Sequence, residues 1–340
     1  MSSPRHAPRP WIGAAASFAA QPDMLRALPA HLGDQLRHLP GRPDRVLVVG
    51  IGASYAAAAA AVRVMRSYRI DATRHLPGEL PAADGGELVL AISQSGRSAE
   101  VVEYARTVAP QRLLAVTNYH PSPLGDLCGH CLNLGDHADS SVSFLSFTGT
   151  LVALGMLAEH WTGQVRLDRW QAVVDSAIRC AQSATPKLDQ SAEVLATGQF
   201  IDIAAPAALV GAAEEAALMF RGGPRVPATG MDTRHYLHGP MDAAGDGAHL
   251  ILGGEREALL AKQLAERTDR VVYIGTAPAE LPPEAAVAFQ ADLPHTDPIG
   301  EALCATMMTQ YLALRVADLR GVDIDEPAFT RLDTKTASAG

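Results

Sequence analysis

Leu88-Val89-Leu90-Ala91-Ile92 runs without a polar residue into Ser93-Gln94-Ser95-Gly96-Arg97-Ser98, and Ala99 to Thr107 then follows a helical pattern. A short apolar run closed by a polar loop and a helix predicts a parallel strand covered on both faces. Ligands of open parallel sheets sit beyond the carboxyl ends of the strands, so the loop lies where a binding site belongs. Its three hydroxyls, its glutamine and the amides of the following helix all donate hydrogen bonds, which suits a phosphate monoester. Ser98 also fits the N-cap position ahead of Val101 and Val102. Capping accounts for one hydroxyl and leaves Ser93, Gln94 and Ser95 unexplained.

Upstream, Val46-Leu47-Val48-Val49 predicts another buried strand, closed by Gly50-Ile51-Gly52, and the alanine-rich stretch Ala53 to Met65 predicts a helix. The glycines permit a tight turn. The third glycine and the later acidic ribose ligand of a dinucleotide fingerprint are missing, as is the G-K-[ST] of a nucleotide phosphate loop. Downstream, Leu113 to Val116 and Leu132 to Leu134 read as strands and Phe144 to Trp161 as a long helix. A helical linker from Leu167 to Ala196 follows. Then come a predicted strand at Ala207 to Gly211, a helix at Ala212 to Phe220 and a strand at His249 to Leu252 ending in Gly253-Gly254. A helix at Glu257 to Arg267, a strand at Val271 to Ile274 and a helix at Ile299 to Leu319 complete the run. Strand and helix therefore alternate twice in the same order. The pattern predicts an α/β protein with two parallel sheets, each flanked by helices on both faces in three αβα layers. The expected divisions are an N-terminal segment with a helix (1–42), a first domain (43–166), the helical linker (167–196), a second domain (197–322) and a tail (323–340).

The chain of 340 residues carries a net charge of −9. That balance argues against a nucleic-acid surface, so an anionic ligand would have to be held by local donors. No apolar run is long enough to span a membrane, and Met1 to Pro10 is not followed by the apolar core of a secretory signal. Four cysteines make no disulfide framework, and cytoplasm is the expected location. Cys128 and Cys131 form a C-x-x-C with no second such pair to complete a zinc set, and they read as two thiols of a loop and a strand.

The hexapeptide Ser93 to Ser98 resembles the S-x-S-G-x-[ST] signature of SIS domains, which bind phosphosugars. The resemblance covers most of the chain. Gly52-Ala53-Ser54-Tyr55 is similar to the turn after the first strand, and Ser141-Val142 with Ser146-Phe147-Thr148 to the helix after the fourth. His238-Gly239-Pro240 is similar to the H-G-P of a second SIS domain, Asp323 to Pro327 to the D-x-D-x-P ahead of the C-terminal tail, and Gln21-Pro22 to the Q-P of the N-terminal helix. The layout is that of two SIS-type subdomains, as in the isomerase half of glucosamine-6-phosphate synthase and the stand-alone isomerases, deaminases and deglycases related to it. The resemblance implies that Ser54, Ser93, Gln94, Ser95 and Ser98 hold the phosphosugar and that His238 opens the sugar ring. In the synthase this histidine comes from the neighbouring subunit, so a homodimer is implied. Neither a metal nor an organic cofactor is expected, and the expected partner is a phosphorylated sugar.

Departures from the family pattern open a second reading. The family's proton-shuttling glutamate falls on Gly222; Glu215 matches an earlier helical glutamate that is either catalytic or structural. His235 stands where relatives carry an acidic residue, and a histidine can exchange protons near neutral pH. Lys335 lies eight residues after Pro327, later than the family's tail lysine. Neither the Met-Cys start nor the glutaminase domain of a glutamine-dependent synthase is expected, nor is a DNA-reading segment ahead of the first domain. The leading expectation is an aldose–ketose isomerase or amino-sugar-phosphate deaminase using His238, Glu215, His235 and Lys335. The alternative is a phosphosugar sensor that has lost the isomerase base.

Overall fold

The computed structural model describes residues 10–80, 87–282, 286–290, 297–329 and 334–336, with 286–290 described by backbone alone. The reading of residues 1–9 as carrying no secretory signal lies outside the described residues. Two compact units make up the chain: residues 1–171 with 328–340, and residues 172–327.

The first unit runs α1 (Ala14–Leu36), β1 (Arg45–Val49), α2 (Ala53–Ser67), β2 (Asp71–His75), β3 (Leu88–Ile92), α3 (Ala99–Ala105), β4 (Leu113–Thr117), β5 (His130–Asn133) and α4 (Phe144–His160). Its strands form one parallel sheet in the order β2-β1-β3-β4-β5. β3 and β4 are buried at every position, which is why both read as unbroken apolar runs. Val101, Val102 and Tyr104 of α3 pack on Val49, Val89, Ala91, Leu113 and Ala115. The alternate residues of β3 point to the other face, where α2 and α4 lie on the sheet. α4 is apolar around its whole circumference and is buried from Phe144 to Glu159, as such a helix must be. It is flanked by α1 and α2. Gln21 joins α1 to α4, its Nε2 donating to the Phe144 carbonyl and to Thr148 Oγ1, each at 3.0 Å.

α5 (Leu167–Ala196) leads into the second unit: β6 (Ile201–Ala205), α6 (Val210–Gly222), β7 (Ala228–Asp232), α7 (Thr233–Tyr236), β8 (Ala248–Gly253), α8 (Glu255–Ala265), β9 (Val271–Gly275), β10 (Ala286–Gln290) and α9 (Pro298–Leu319). These strands also form a parallel sheet, ordered β7-β6-β8-β9-β10. Counted from the first strand of each unit, both sheets have the order 2-1-3-4-5. α8 covers one face through Leu260, Ala261 and Leu264 against Ile251, Val271 and Tyr273, and α6 packs on β6, β7 and α9.

The predicted strand at Ala207 to Gly211 is corrected by this structure. Those residues form a turn, closed by Leu209 N donating to the Pro206 carbonyl at 2.7 Å, and the first residues of α6. The strand itself is Ile201–Ala205, immediately before Pro206. Its charged Asp202 broke the apolar pattern. β2, β7 and β10 had no counterpart in the sequence reading. Among the described residues no helix is long and apolar enough to cross a membrane.

Candidate functional site

In a sheet ordered 2-1-3-4-5 the chain winds in opposite directions from β1 and β3, which opens a crevice between their carboxyl ends. Val49 pairs with Ala91, so the turn Gly50 to Gly52 and the loop Ser93 to Ser98 leave the same edge of the sheet side by side. Ser54 stands half-buried in the first turn of α2, its N–H donating to the Ile51 carbonyl at 3.2 Å.

Hydrogen bonds define the shape of the serine loop. Gly96 N donates to the Ser93 carbonyl at 2.9 Å, and Gly96 adopts φ +60°. A Cβ on Gly96 would lie 2.1 Å from Ser122 Oγ, so both the backbone angle and the close neighbour require glycine. Ser98 occupies the N-cap position of α3, yet its side chain makes no capping bond. Its hydroxyl instead meets Ser93 Oγ at 3.0 Å. Ser95 Oγ accepts from the Arg97 N–H at 3.1 Å. Ser93 and Ser95 are 1% and 2% exposed, whereas Gln94 and Ser98 are half-buried. Two of the three hydroxyls therefore face the inside of the loop, and the Ser98 hydroxyl and the Gln94 amide line its surface.

Gln94 is fixed at both ends. Its Nε2 donates to Asp139 Oδ2 at 3.1 Å, its Oε1 accepts from Ser143 Oγ at 3.2 Å, and its carbonyl accepts from Asn118 N at 2.9 Å. Asp139, 3% exposed, anchors this arrangement. Its carboxylate accepts from Ser17 Oγ at 2.6 Å and from the N–H groups of Ser140, Leu145 and Ser146, and it also takes the Ser146 hydroxyl. The orphan amides at the start of α4 thus stabilise the buried anion that orients Gln94. An acidic residue shortly ahead of a long apolar helix was the available sequence signal for Asp139.

The C-terminal tail reaches the same loop. Ser98 and Lys335 form an antiparallel bridge, Thr336 N donates to the Arg97 carbonyl at 2.9 Å, and Ala99 N donates to the Thr334 carbonyl at 3.3 Å. This pairing brings Lys335 Nζ to 3.4 Å from Ser95 Oγ. The loop's own Arg97 adds a second cation, whose Nη2 is buried with no hydrogen-bond partner among the described residues. The loop is therefore more cationic than its serines alone suggest.

The other candidates lie in the second unit. His235 on α7 and His238 just after it are both exposed, with His238 N donating to the His235 carbonyl at 3.1 Å. Glu215 on α6 is 1% exposed. Gly222, the last residue of α6, is exposed, and nothing lies within 4 Å of where its Cβ would be. Among the described residues no group of three or more His, Cys, Asp or Glu side chains is placed to hold a metal ion.

Residues 42–160, which make up most of the first unit, match the family model of the SIS domain. The chain is 26% identical over 274 residues to the glutamine–fructose-6-phosphate aminotransferase (isomerizing) of Gloeobacter violaceus, an alignment covering 73% of this chain and 44% of that protein. It thus spans less than half the length of that curated relative. Among solved structures it is similar to the C-terminal domain of glucosamine-fructose-6-phosphate aminotransferase from Francisella tularensis, with TM-score 0.78 and 17% identity over 92% of this chain and 98% of that one. It is also similar to glucosamine-6-phosphate deaminase from Thermotoga maritima, with TM-score 0.74 and 18% identity over 94% and 98%. At these identities the structural likeness is one of fold.

Proposed function

We propose that the chain binds a phosphorylated sugar at the serine loop of its SIS domain and carries out aldose–ketose isomerisation or amino-sugar-phosphate deamination on a hexose phosphate derivative. One arrangement supports this reading above the rest: Ser93, Gln94, Ser95 and Ser98 gathered at the switch point of a parallel sheet, with an ammonium 3.4 Å from Ser95. In this reading Ser54, Ser93, Gln94, Ser95 and Ser98 hold the phosphate end of the sugar. The Ser93–Ser98 and Lys335–Ser95 contacts exchange for contacts to phosphate oxygens when ligand enters. Phosphate is remote from the reacting carbons, so its binding energy fixes the sugar for chemistry elsewhere.

Both reactions require ring opening and removal of the proton beside the carbonyl. His238 moves the ring-oxygen proton, and Glu215 or His235 carries the carbon-bound proton from one carbon to its neighbour through an enediol. The proposal includes a homodimer in which His238 of one chain serves the other chain's sugar. It also reads the second unit as a second SIS domain, which the shared 2-1-3-4-5 strand order supports.

A specific pair of observations favours the sensor reading: Gly222 stands in place of the family carboxylate, and Glu215 is buried. Incubation with fructose 6-phosphate and glucosamine 6-phosphate in heavy water separates the two. Deuterium uptake at the carbon beside the carbonyl is expected of the enzyme. Thermal stabilisation by the same ligands without uptake identifies a sensor, and absence of both rejects phosphosugar binding altogether. The open space at Gly222 adds a second arm, because a Cβ there meets no atom within 4 Å and Gly222→Glu restores the family carboxylate. If the chain is a sensor for want of that base, the variant gains exchange that the parent lacks. If Glu215 or His235 already does the work, exchange stays at the parent rate.

A further inference from the structure

The four cysteines form two pairs, one in each unit, and the pairs differ in the properties that decide thiol chemistry. Cys180 on α5 and Cys304 on α9 are 7% and 0% exposed. Their mutual hydrogen bond and their burial push the Cys304 thiol up, which makes it a poor nucleophile. Cys131 lies on β5, at the edge of its sheet, and Cys128 in the turn just before it. Both are half-buried and pack at the margin of the apolar cluster around α3. They stand three residues apart in the chain, close enough that each shifts the titration of the other. Cys128 Sγ also reaches the Gly125 carbonyl at 3.2 Å, and Thr117 Oγ1 stands 3.6 Å from Cys131 Sγ. The neighbouring Cys128 side chain, followed by Thr117 and the nearby His120, brings the Cys131 thiol down to about 6 against the opposing effect of burial. One thiol is thus set up as the thiolate, with a second thiol three residues away in the chain, the division of labour in which C-x-x-C pairs react.

The turn that carries Cys128 is also the seat of the serine loop. Leu124 N donates to the Gly96 carbonyl at 3.0 Å, Gly125 N to Ser122 Oγ at 3.2 Å, and Asp126 N to the Ser122 carbonyl at 2.9 Å. Ser122 Oγ sits against the missing Cβ of Gly96. Movement at Cys128 therefore passes through a short, hydrogen-bonded turn to Gly96.

We propose that Cys128 and Cys131 are a reversible disulfide-forming site, oxidised by small-molecule disulfides of the glutathione class, and that closing the bond shifts the turn on which Gly96 is seated. The Cys131 thiolate attacks one sulfur of the small disulfide, whose S–S bond breaks and releases one thiolate. Cys128 gives its proton to water and attacks Cys131 in the resulting mixed disulfide, expelling the second small thiolate. Two protein thiols lose two electrons and two protons, and one small disulfide becomes two thiols. The consequence for Gly96 rests on the phosphosugar reading of the serine loop; the disulfide chemistry does not.

The test uses the full chain, reduced, freed of reductant and incubated with oxidised glutathione, followed by peptide mapping without reduction. The expected map shows a Cys128–Cys131 disulfide while Cys180 and Cys304 remain thiols, and dithiothreitol reverses it. Cys128→Ser is expected to stop at a glutathione adduct on Cys131. Unreacted Cys128 and Cys131, or consumption of all four thiols at one rate, overturns the site. Fructose 6-phosphate affinity is then compared between the reduced and oxidised chain, with about a fivefold weakening expected on oxidation. Equal affinity in both states overturns the coupling. No binding by the reduced chain overturns the phosphosugar reading, while the peptide map still decides the disulfide.

Discussion

The loop after β3 and the loop after β8 hold the same place in two sheets of identical strand order, yet they treat an anion in opposite ways. After β3 the chain presents Ser93, Gln94, Ser95 and Ser98, with Lys335 brought in from the tail. After β8 it presents Gly253-Gly254, and Glu257 turns back so that its Oε2 accepts from the Gly254 N–H at 3.0 Å. A Cβ on Gly253 would lie 2.7 Å from that carboxylate oxygen. The second loop already contains its own anion, buried to 4% exposure, and a phosphate there would meet like charge. Buried polar groups divide the same way. The first unit places Asp139 at the ligand edge, where it orients Gln94. The second places Asp202 and His249 opposite each other within the sheet, and Tyr236 OH meets His249 Nδ1 at 3.0 Å. A shared topology thus leaves the site to be decided by side chains in particular loops.

The sharpest way to break this comparison is to substitute the two glycines. Gly96→Val adds strain at φ +60° and a collision with Ser122. The left-handed conformation alone costs about 1–2 kcal/mol, and the Ser122 turn must also move. Fructose 6-phosphate binding by calorimetry is expected to fall by more than about 100-fold. Gly253→Ala, strained at φ +144°, is expected to lower the stability of the second unit and leave affinity within about twofold. Equal losses from both substitutions would show that the loops do not differ in function.

Asp139→Ala tests whether the first unit's buried anion is the anchor. The change removes the acceptor shared by Ser17, Gln94 and the α4 amides. Donors left unpaired in a buried site give an expected destabilisation of about 3–5 kcal/mol in urea unfolding. Asp139→Asn keeps one acceptor oxygen and is expected to recover part of the loss. An unchanged midpoint for Asp139→Ala would mean that Gln94 is held by other contacts.

The second unit's buried pair gives a smaller, pH-dependent effect. Burial pushes the Asp202 carboxyl up to about 6 and the His249 imidazole down to about 4. Asp202, with its folded value above its unfolded one, contributes stability that is present below about pH 4 and lost as pH rises through 6. His249, with its folded value depressed, contributes stability that is present above about pH 6.5 and lost as pH falls through 4. The slopes oppose each other, so the parent unit is expected to vary little between pH 4 and 6. Asp202→Asn leaves the His249 slope and His249→Asn the Asp202 slope, each worth about 3 kcal/mol across its window. Hydrogen-exchange protection of β6 and β8, corrected for the intrinsic rate at each pH, measures both. Slopes of the same sign in the two variants would contradict the assignment.

How much of this was legible in the sequence follows from what each element faces. β1, β3, β4, β8 and β9 lie within their sheets and read as apolar runs. β2 (Asp71-Ala72-Thr73-Arg74-His75) and β7 (Ala228-Thr229-Gly230-Met231-Asp232) are edge strands whose polar and glycine residues hide them. Asp202 disguised β6 by placing a charge in a buried strand. In the site, the hydroxyls were legible because one loop supplies them all. Asp139 was not placed there and Lys335 entered only through the family resemblance, because their partners lie 45 and 240 residues away in the chain and no local pattern encodes such pairing. The spacing of Lys335 from Pro327 even counted against it, whereas the tail reaches the loop by backbone pairing at Arg97 and Ser98.

That pairing supports the smallest predicted effect and the most direct check on the serine loop. Lys335 is an exposed residue whose ammonium lies 3.4 Å from Ser95 Oγ, so its attraction for a phosphate is partly screened by water and salt. Lys335→Met removes the charge while keeping most of the side chain's bulk. It is expected to weaken fructose 6-phosphate binding about tenfold, equivalent to about 1.4 kcal/mol, and to flatten the salt dependence of the affinity. Thr336→Pro retains the lysine but deletes the N–H that donates to the Arg97 carbonyl. If backbone pairing delivers Lys335, the proline variant reproduces the loss. If only the methionine variant weakens binding, the lysine acts without the bridge, and if neither does, the tail is bystander structure and the serines hold the anion alone.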